Sequence, residues 1–453
     1  MFSRLAKISG LNTPLLLGLG LRAWSVFAGL ITIRFVTTGM SAAVQGYYYT
    51  FGSLTQLTQL ADLGLQIAVV QFASHEAAHL VFGKGGRVSG LPQAMARLAS
   101  IGRFSLAWFG TLSIVLVAAL VAAGYWMFSA RTGITDWQGP WLILCVLAAI
   151  DLLLNNFCVL LEGTNQLTII YFYRFGRGIV ASVTLWIFLS AGYGLYAVPL
   201  SLAAAIVFLL LILLTSRLHF VLFFLRSCST LDSISWRKEI LPLQLRLGVS
   251  SITSYISYSL FVPITFRFAG PVAAGQMGLS WTLIDSMTGV ALLWPAVNFP
   301  TMGALAAQSR WLDLDRLSKR VGFQAIALVI MGAGTLIALR IGIDIYHFHL
   351  ASRLLPLLAF ALLAMTSVSK VLASVMISYL RAHKKEPIVV LTAVLTPIML
   401  GAAIGGAALA GTLGVVIGYS LVMFFLMLPG VAWITIRCRA LWHHNQILSY
   451  RLT

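Results

Sequence analysis

The sequence predicts an all-α polytopic membrane protein of about twelve transmembrane helices, built as two six-helix lobes related by a parallel pseudo-two-fold repeat. Three observations predict it. Of the 453 residues, 60% are hydrophobic and only 9% charged, with a mean hydropathy of +0.94. A soluble domain carries about 25% charged residues, without which it has no aqueous shell. Twelve stretches also reach the roughly 20 apolar residues that a helix needs to cross a hydrocarbon core. The basic residues, finally, cluster on alternate connections between these stretches, which is the charge pattern of cytoplasmic loops. A soluble enzyme, a disordered chain and a nucleic-acid-binding module are excluded. The net charge of +18 in so apolar a chain points to loops beside an anionic membrane face, not to a phosphate backbone.

The first span covers 14–38. Asn12-Thr13-Pro14 supplies a capping side chain and a first-turn proline. The apolar run from Leu15 to Val36 outlasts the about 7–15 residues of a signal-peptide core, so it is read as an uncleaved helix. Five more spans follow at 46–70, 101–127, 140–161, 168–190 and 193–215. The second half repeats the count at 244–266, 277–299, 321–341, 354–378, 387–408 and 412–435. Only tight turns fit inside 168–215 and 387–435. Residues 1–216 then form an N-terminal lobe, 217–243 a basic cytoplasmic linker, and 244–453 a C-terminal lobe. With both termini cytoplasmic, 23 of the 30 basic residues fall on inner segments, Arg174 and Arg177 among them. Arg131, Arg267, Arg340 and Arg353 fall outside, and Arg22, Arg34 and Lys370 lie within spans.

The two halves share a local motif. Span 1 ends on Arg34-Phe35, a glycine-containing turn and Ala42-Ala43-Val44-Gln45, and span 7 ends on Arg267-Phe268, a glycine turn and Ala273-Ala274-Gly275-Gln276. Six spans per half keep the same polarity, which makes the repeat parallel, as in transporters with a cavity between two lobes.

Several chemistries find no support. Cys145, Cys158, Cys228 and Cys438 have no paired spacing, so neither a disulfide framework nor a zinc site is expected. The pairs His75/His79, His347/His349 and His443/His444 lack converging acids or thiols. Gly83-Lys84-Gly85-Gly86-Arg87 is a basic turn without the hydroxyl and spacing of a phosphate loop. No soluble segment holds a hydrolase constellation, and the longest outer segment, 128–139, is too short for a polymerase or ligase that acts through a large periplasmic loop. No cofactor is expected, apart from a coupling proton or sodium ion.

Gln45-Gly46-Tyr47-Tyr48-Tyr49-Thr50-Phe51, Ala61-Asp62-Leu63-Gly64-Leu65 and Val70-Gln71-Phe72-Ala73-Ser74-His75-Glu76 together resemble the second helix of polysaccharide-repeat flippases, the O-antigen (Wzx-type) branch of the MOP transporter superfamily. Leu161-Glu162-Gly163 and Tyr379-Leu380-Arg381-Ala382 are similar to segments of the same family. The resemblance implies a multi-pass protein of the bacterial inner membrane. Its partners would be the bilayer, an undecaprenyl-diphosphate-linked oligosaccharide carried from the cytoplasmic to the periplasmic leaflet, and the polysaccharide polymerase machinery of O-antigen and lipopolysaccharide synthesis. A diphosphate with polar sugars cannot cross hydrocarbon unaided, so the carrier needs a wet, cationic cavity. The rival reading is a multidrug or cation exporter of the same superfamily, for which an acidic or apolar cavity is expected.

Candidate substrate-binding residues are Arg22, Arg34, Arg267 and Lys370. A central arginine costs at least about 2.5–3.5 kcal/mol on insertion scales. Arg22 therefore reads either as a diphosphate or sugar ligand or as one half of an ion pair, for example with Asp62. Arg34 and Arg267 read as a matched pair at the outer mouth or as interfacial anchors. Asp62, Asp151 and Asp285 are the acids within spans, each able to couple an ion or to neutralise a base. Asn155-Asn156 next to Asp151 reads as hydrogen-bonding glue between helices, and Tyr47-Tyr48-Tyr49 as an interfacial aromatic belt.

Overall fold

A computed structural model describes residues 13–58, 64–129, 136–226, 248, 252–253, 255–256, 259–383 and 386–450. Two compact units divide the chain, Met1–Tyr255 and Ile256–Thr453. Among the described residues, nine helical stretches are long and apolar enough to cross a membrane.

In the N-terminal unit, α1 (Thr13–Gly39) lies along α6 (Leu167–Ser190). The two are joined towards their C-terminal ends by Trp186, whose Nε1 donates to Thr32 Oγ1 at 2.8 Å while its ring stacks on Phe35. The second span is interrupted: α2 (Ala42–Thr55), capped by Ser41, ends in a turn at Gln56, Leu57 and Thr58 are helical again, and after residues outside the described set α3 (Leu65–Ala77) starts from Gly64 at φ 77°. A continuous helix over 46–70 is the sequence expectation. The polar run Thr55-Gln56-Leu57-Thr58 opposes it, because such side chains compete for backbone hydrogen bonds. A short hairpin, β1 (Leu80–Phe82) with β2 (Val88–Gly90), then leads into α4 (Pro92–Phe128). α5 (Gln138–Gly163), α6 and α7 (Ala197–Ser216) complete the set. The core is aromatic. Tyr47 and Phe51 pack with Phe128 and Trp141 at ring distances of 4.8–5.6 Å, and all four are fully buried. Tyr47 is thus a core residue and not part of an aromatic belt.

The stretch 217–243, expected as a linker, begins with a helix of its own, α8 (Leu218–Arg226), seated on the hairpin of the N-terminal unit. Span 7 is described mainly through α9 (Phe261–Ala269), and ten residues in the first part of the expected span 244–266 lie outside the described residues.

The C-terminal unit follows the plan of the N-terminal one. Its second span is again in two pieces, α10 (Pro271–Ala291) and α11 (Leu293–Ala307). Its third, α12 (Trp311–Ile345), has 35 residues against 37 for α4, and its fourth, α13 (Leu357–Ala382), has 26 like α5. The apolar stretch Val389–Trp442 runs for 54 residues, about 80 Å if straight and more than two hydrocarbon thicknesses. It is not straight. Within α14 (Val389–Val422) the helix reverses at Ala410 (φ −139°) and Gly411 (φ 56°, ψ −133°), a conformation open to glycine. The two arms meet backbone to backbone: a Cβ on Gly406 would stand 2.1 Å from Gly414 O, and one on Gly418 2.4 Å from Ala402 O. Small residues spaced by four give the close approach that packs helices in lipid. Spans 11 and 12 are therefore an antiparallel hairpin, turning between 408 and 412 as expected. A single π-helical turn (Met423–Met427) leads into α15 (Leu428–Tyr450).

Candidate functional site

In the N-terminal unit, an acid and a base face each other across the α5–α6 turn. Asp151 and Arg177 each stand about three helical turns from that turn, which brings them to one depth. Arg177 Nη1 donates to Asp151 Oδ1 at 2.7 Å and Nη2 to Oδ2 at 2.8 Å, a bidentate pair. Nη1 also donates to the buried Tyr173 hydroxyl at 2.8 Å. Nearer the turn, Arg174 holds Glu162 at 2.5 Å. The Asp151–Arg177 pair borders a cavity of about 510 Å³, which Gln56, Gln66, Asn155 and Ser201 also line. The broken second span thus meets a polar cavity, the setting in which interrupted backbone is tolerated at membrane depth.

Arg177 corrects the sequence reading: it stands inside α6 and not on an inner flank. Its equal distance from the turn was the signal that could have paired it with Asp151. Among the described residues the buried Asn156 amide has no hydrogen-bond partner, so it is not the interhelical glue expected of it. Asp62 lies outside the described residues.

In the C-terminal unit, Lys370 on α13 donates to Asp285 on α10 at 2.7 Å. Both border a small cavity of about 20 Å³, with Trp281, Thr288, Ser367 and Tyr419. The exposures are unequal, 16% for the lysine side chain and 55% for the aspartate. Removing the carboxylate therefore takes the 2.7 Å ion-pair partner from the more desolvated charge. Asp285→Ala is expected to lower the melting temperature of the detergent-solubilised protein more than Lys370→Ala does, by an amount equivalent to roughly 1–3 kcal/mol. Equal shifts in thermal unfolding would show that the pair is not asymmetric.

Arg22 and Arg34 are exposed on α1, and among the described residues no hydrogen bond or ion pair engages either side chain. Arg267, near the end of α9, is exposed as well. The matched arginines thus both reach an exterior of their own unit. Eight of the nine described acids behave differently, Asp136 in the 128–139 segment being the exception. Glu76, Asp151, Glu162, Asp285, Asp313, Asp315, Asp344 and Glu386 each pair with an arginine or lysine. Within the described spans, the charge left without a partner is positive.

No protein-family model matches the chain, and no curated protein does. Solved structures do. A multidrug-resistance MATE-family transporter of the MOP superfamily, in an inward-facing conformation, superposes with a TM-score of 0.67 over 96% of each chain at 14% identity. A MOP-superfamily transporter from Pyrococcus furiosus Vc1, described by a reverse polarity of its binding pocket that suggests a different function, does so with a TM-score of 0.56 over 94% of each chain at 17% identity. A MATE protein in complex with MaL6 gives 0.54 over 97% of this chain and 95% of its own, at 16% identity. Together with the spans, these likenesses define the class: a multi-pass membrane protein with the all-helical fold of MOP-superfamily transporters. The neighbours are transporters and not enzymes.

Proposed function

We propose that the chain is a flippase that carries an undecaprenyl-diphosphate-linked oligosaccharide from the cytoplasmic to the periplasmic leaflet of the inner membrane by alternating access. The observation that carries this reading is the charge census of the spans. Asp151 and Asp285 are each neutralised by a base, whereas Arg22 and Arg34 have no acid among the described residues. An exporter of organic cations needs a carboxylate left over for its cargo. A carrier of a diphosphate needs a cation left over, and that is the surplus among the described residues, of which Asp62 is not one. The amide- and hydroxyl-lined cavity beside Asp151 and Arg177 suits neutral sugar hydroxyls, which need donors and acceptors in place of water. The Pyrococcus furiosus neighbour supports the idea that one MOP fold accommodates pockets of opposite polarity. The multidrug-exporter reading fits the neighbouring folds equally well, so a transport assay must separate the two.

Arg22 would contact the diphosphate, with Arg34, Arg267 and Lys370 as further cationic contacts, and Asp62, Asp151 or Asp285 would couple a proton or sodium ion. The test is deletion of the gene in the source bacterium, followed by extraction of lipid-diphosphate-linked repeat units. Complete units are expected to accumulate facing the cytoplasm. The intact chain should relieve the block, Arg22→Lys should relieve it in part, and Arg22→Ala should leave it at least tenfold less relieved, about 1.4 kcal/mol of lost binding. Normal flipping in the deletion strain, with a new sensitivity to cationic drugs, would replace this reading with drug export.

A further inference from the structure

The basic turn Gly83-Lys84-Gly85-Gly86-Arg87 has no role in the site described above, yet it is built with care. Gly85 (φ 69°) and Gly86 (φ 80°) press their backbone on the start of α8: a Cβ on Gly86 would lie 2.7 Å from Phe220 Cβ and 3.1 Å from Arg217 Cδ, and one on Gly85 2.9 Å from His219 Nδ1. Side chains are thus excluded from both positions, and the turn is clamped to Arg217 and His219. Phe220 and Phe224, one turn apart and fully buried, anchor α8 beneath it.

Arg217 is the unusual group. Its Nη1 donates only to the neighbouring Ser216 carbonyl at 2.8 Å, and its Nε is buried with no hydrogen-bond partner. No carboxylate pairs with it among the described residues. Burial pushes its pKa down, which is the sign of a cation desolvated without compensation. Among the described residues around it no acid is free to supply it: from Ala77 to Arg103 and from Ala191 to Arg226 the sequence contains no Asp or Glu, and the nearby Glu76 is engaged by Arg97 at 3.0 Å. Around this cationic centre, Val81, Leu91, Leu218 and Leu225 are exposed. Cations beside a protruding apolar fringe are the surface of a protein seated at a bilayer interface.

We propose that Arg217, His219 and the Gly83–Arg87 turn form a binding site for the headgroup phosphate of an acidic phospholipid, with Val81, Leu91, Leu218 and Leu225 in contact with its acyl chains. The uncompensated arginine asks for an anion, and the apolar fringe selects a lipid over a free ion. The site is separate from the transported substrate and holds whatever the cargo proves to be.

The experiment uses the full-length protein in neutral detergent, titrated with phosphatidylglycerol, phosphatidylcholine or inorganic phosphate and followed by native mass spectrometry and thermal unfolding. Phosphatidylglycerol is expected to bind and to raise the melting temperature, and the other two to do neither. Arg217→Gln should weaken phosphatidylglycerol binding about fivefold and the exposed Arg87→Gln by a smaller factor, while Arg316→Gln, an exposed arginine on α12, should leave it unchanged. If Arg217→Gln does not fold, Arg87→Gln carries the test. Equal binding by Arg87→Gln, Arg217→Gln and the parent would overturn the site. Equal binding of phosphatidylcholine would overturn the charge requirement, and equal binding of inorganic phosphate the choice of a lipid.

Discussion

Arg177→Ala is expected to be among the most destabilising single changes in the N-terminal unit. The guanidinium satisfies both oxygens of Asp151 and the Tyr173 hydroxyl, and the two charged side chains are only 28% and 20% exposed. Its loss strands a carboxylate inside a span. Breaking a buried pair from one side costs roughly 3–5 kcal/mol, and the cavity beside Asp151 places the expected value at the lower end of that range. The double variant Asp151→Asn, Arg177→Gln removes both charges and keeps hydrogen-bonding groups, so it should recover most of the melting temperature. The measurement is thermal unfolding of the three purified variants in one detergent. A single variant as stable as the parent, or a double variant worse than the single, would show that the pair does not hold α5 to α6.

The second large effect concerns the α14 hairpin. A Cβ on Gly414 would lie 1.8 Å from Gly406 O, and the atom in its way is backbone on the opposing arm, which no rotamer change can move. Inserting even one methyl into a packed interface costs typically about 1–3 kcal/mol when neighbours can shift, and here they cannot. Gly414→Ala is therefore expected to reduce the folded, monodisperse yield severely. Gly405→Ala is the matched control, one residue from Gly406 with nothing within 4 Å of its Cβ position. It should be neutral or slightly stabilising, since alanine is the better helix former. Size-exclusion profiles of the two variants decide the matter, and similar profiles would mean that the arms are not in backbone contact.

The cross-membrane layout was readable from the sequence wherever a physical requirement acts over a whole segment. Hydrophobic length marked the helices from α4 to α7 and also α12 and α13, while the single span expected at 277–299 is divided at Leu292 into α10 and α11. The short connection at 408–412 marked the hairpin, because two crossings cannot be joined there except by a reversal. Local backbone requirements were less visible. The interruption of the second span falls in a stretch whose average hydropathy still reads as a span, and the polar run at 55–58 and Gly64 were its traces. Tyr47 reads as interfacial by its position in the chain, yet its ring is covered by Phe128, a contact made by a residue 81 positions away.

The charged residues divide in the same way. The order of residues determines that acids and bases sit within the apolar segments, and the cost of a charge in hydrocarbon determines that each needs a partner, a cavity or an interface. Which of these each obtains is decided only in three dimensions. Asp151 finds Arg177 across a turn, Asp285 finds Lys370 on a helix 85 residues on, and Arg22 and Arg34 find no acid among the described residues. Likewise the Gly83–Arg87 turn is merely basic and glycine-rich as a string of residues. The reason for its glycines appears only when α8 is laid against it. Hydrophobicity sums along a chain and survives projection onto sequence, whereas pairing and close approach depend on distances between residues far apart in it. That is why the sequence alone determined a membrane-spanning helical protein, and only the tertiary structure decided where, among the described residues, its positive charge is left without a counter-ion.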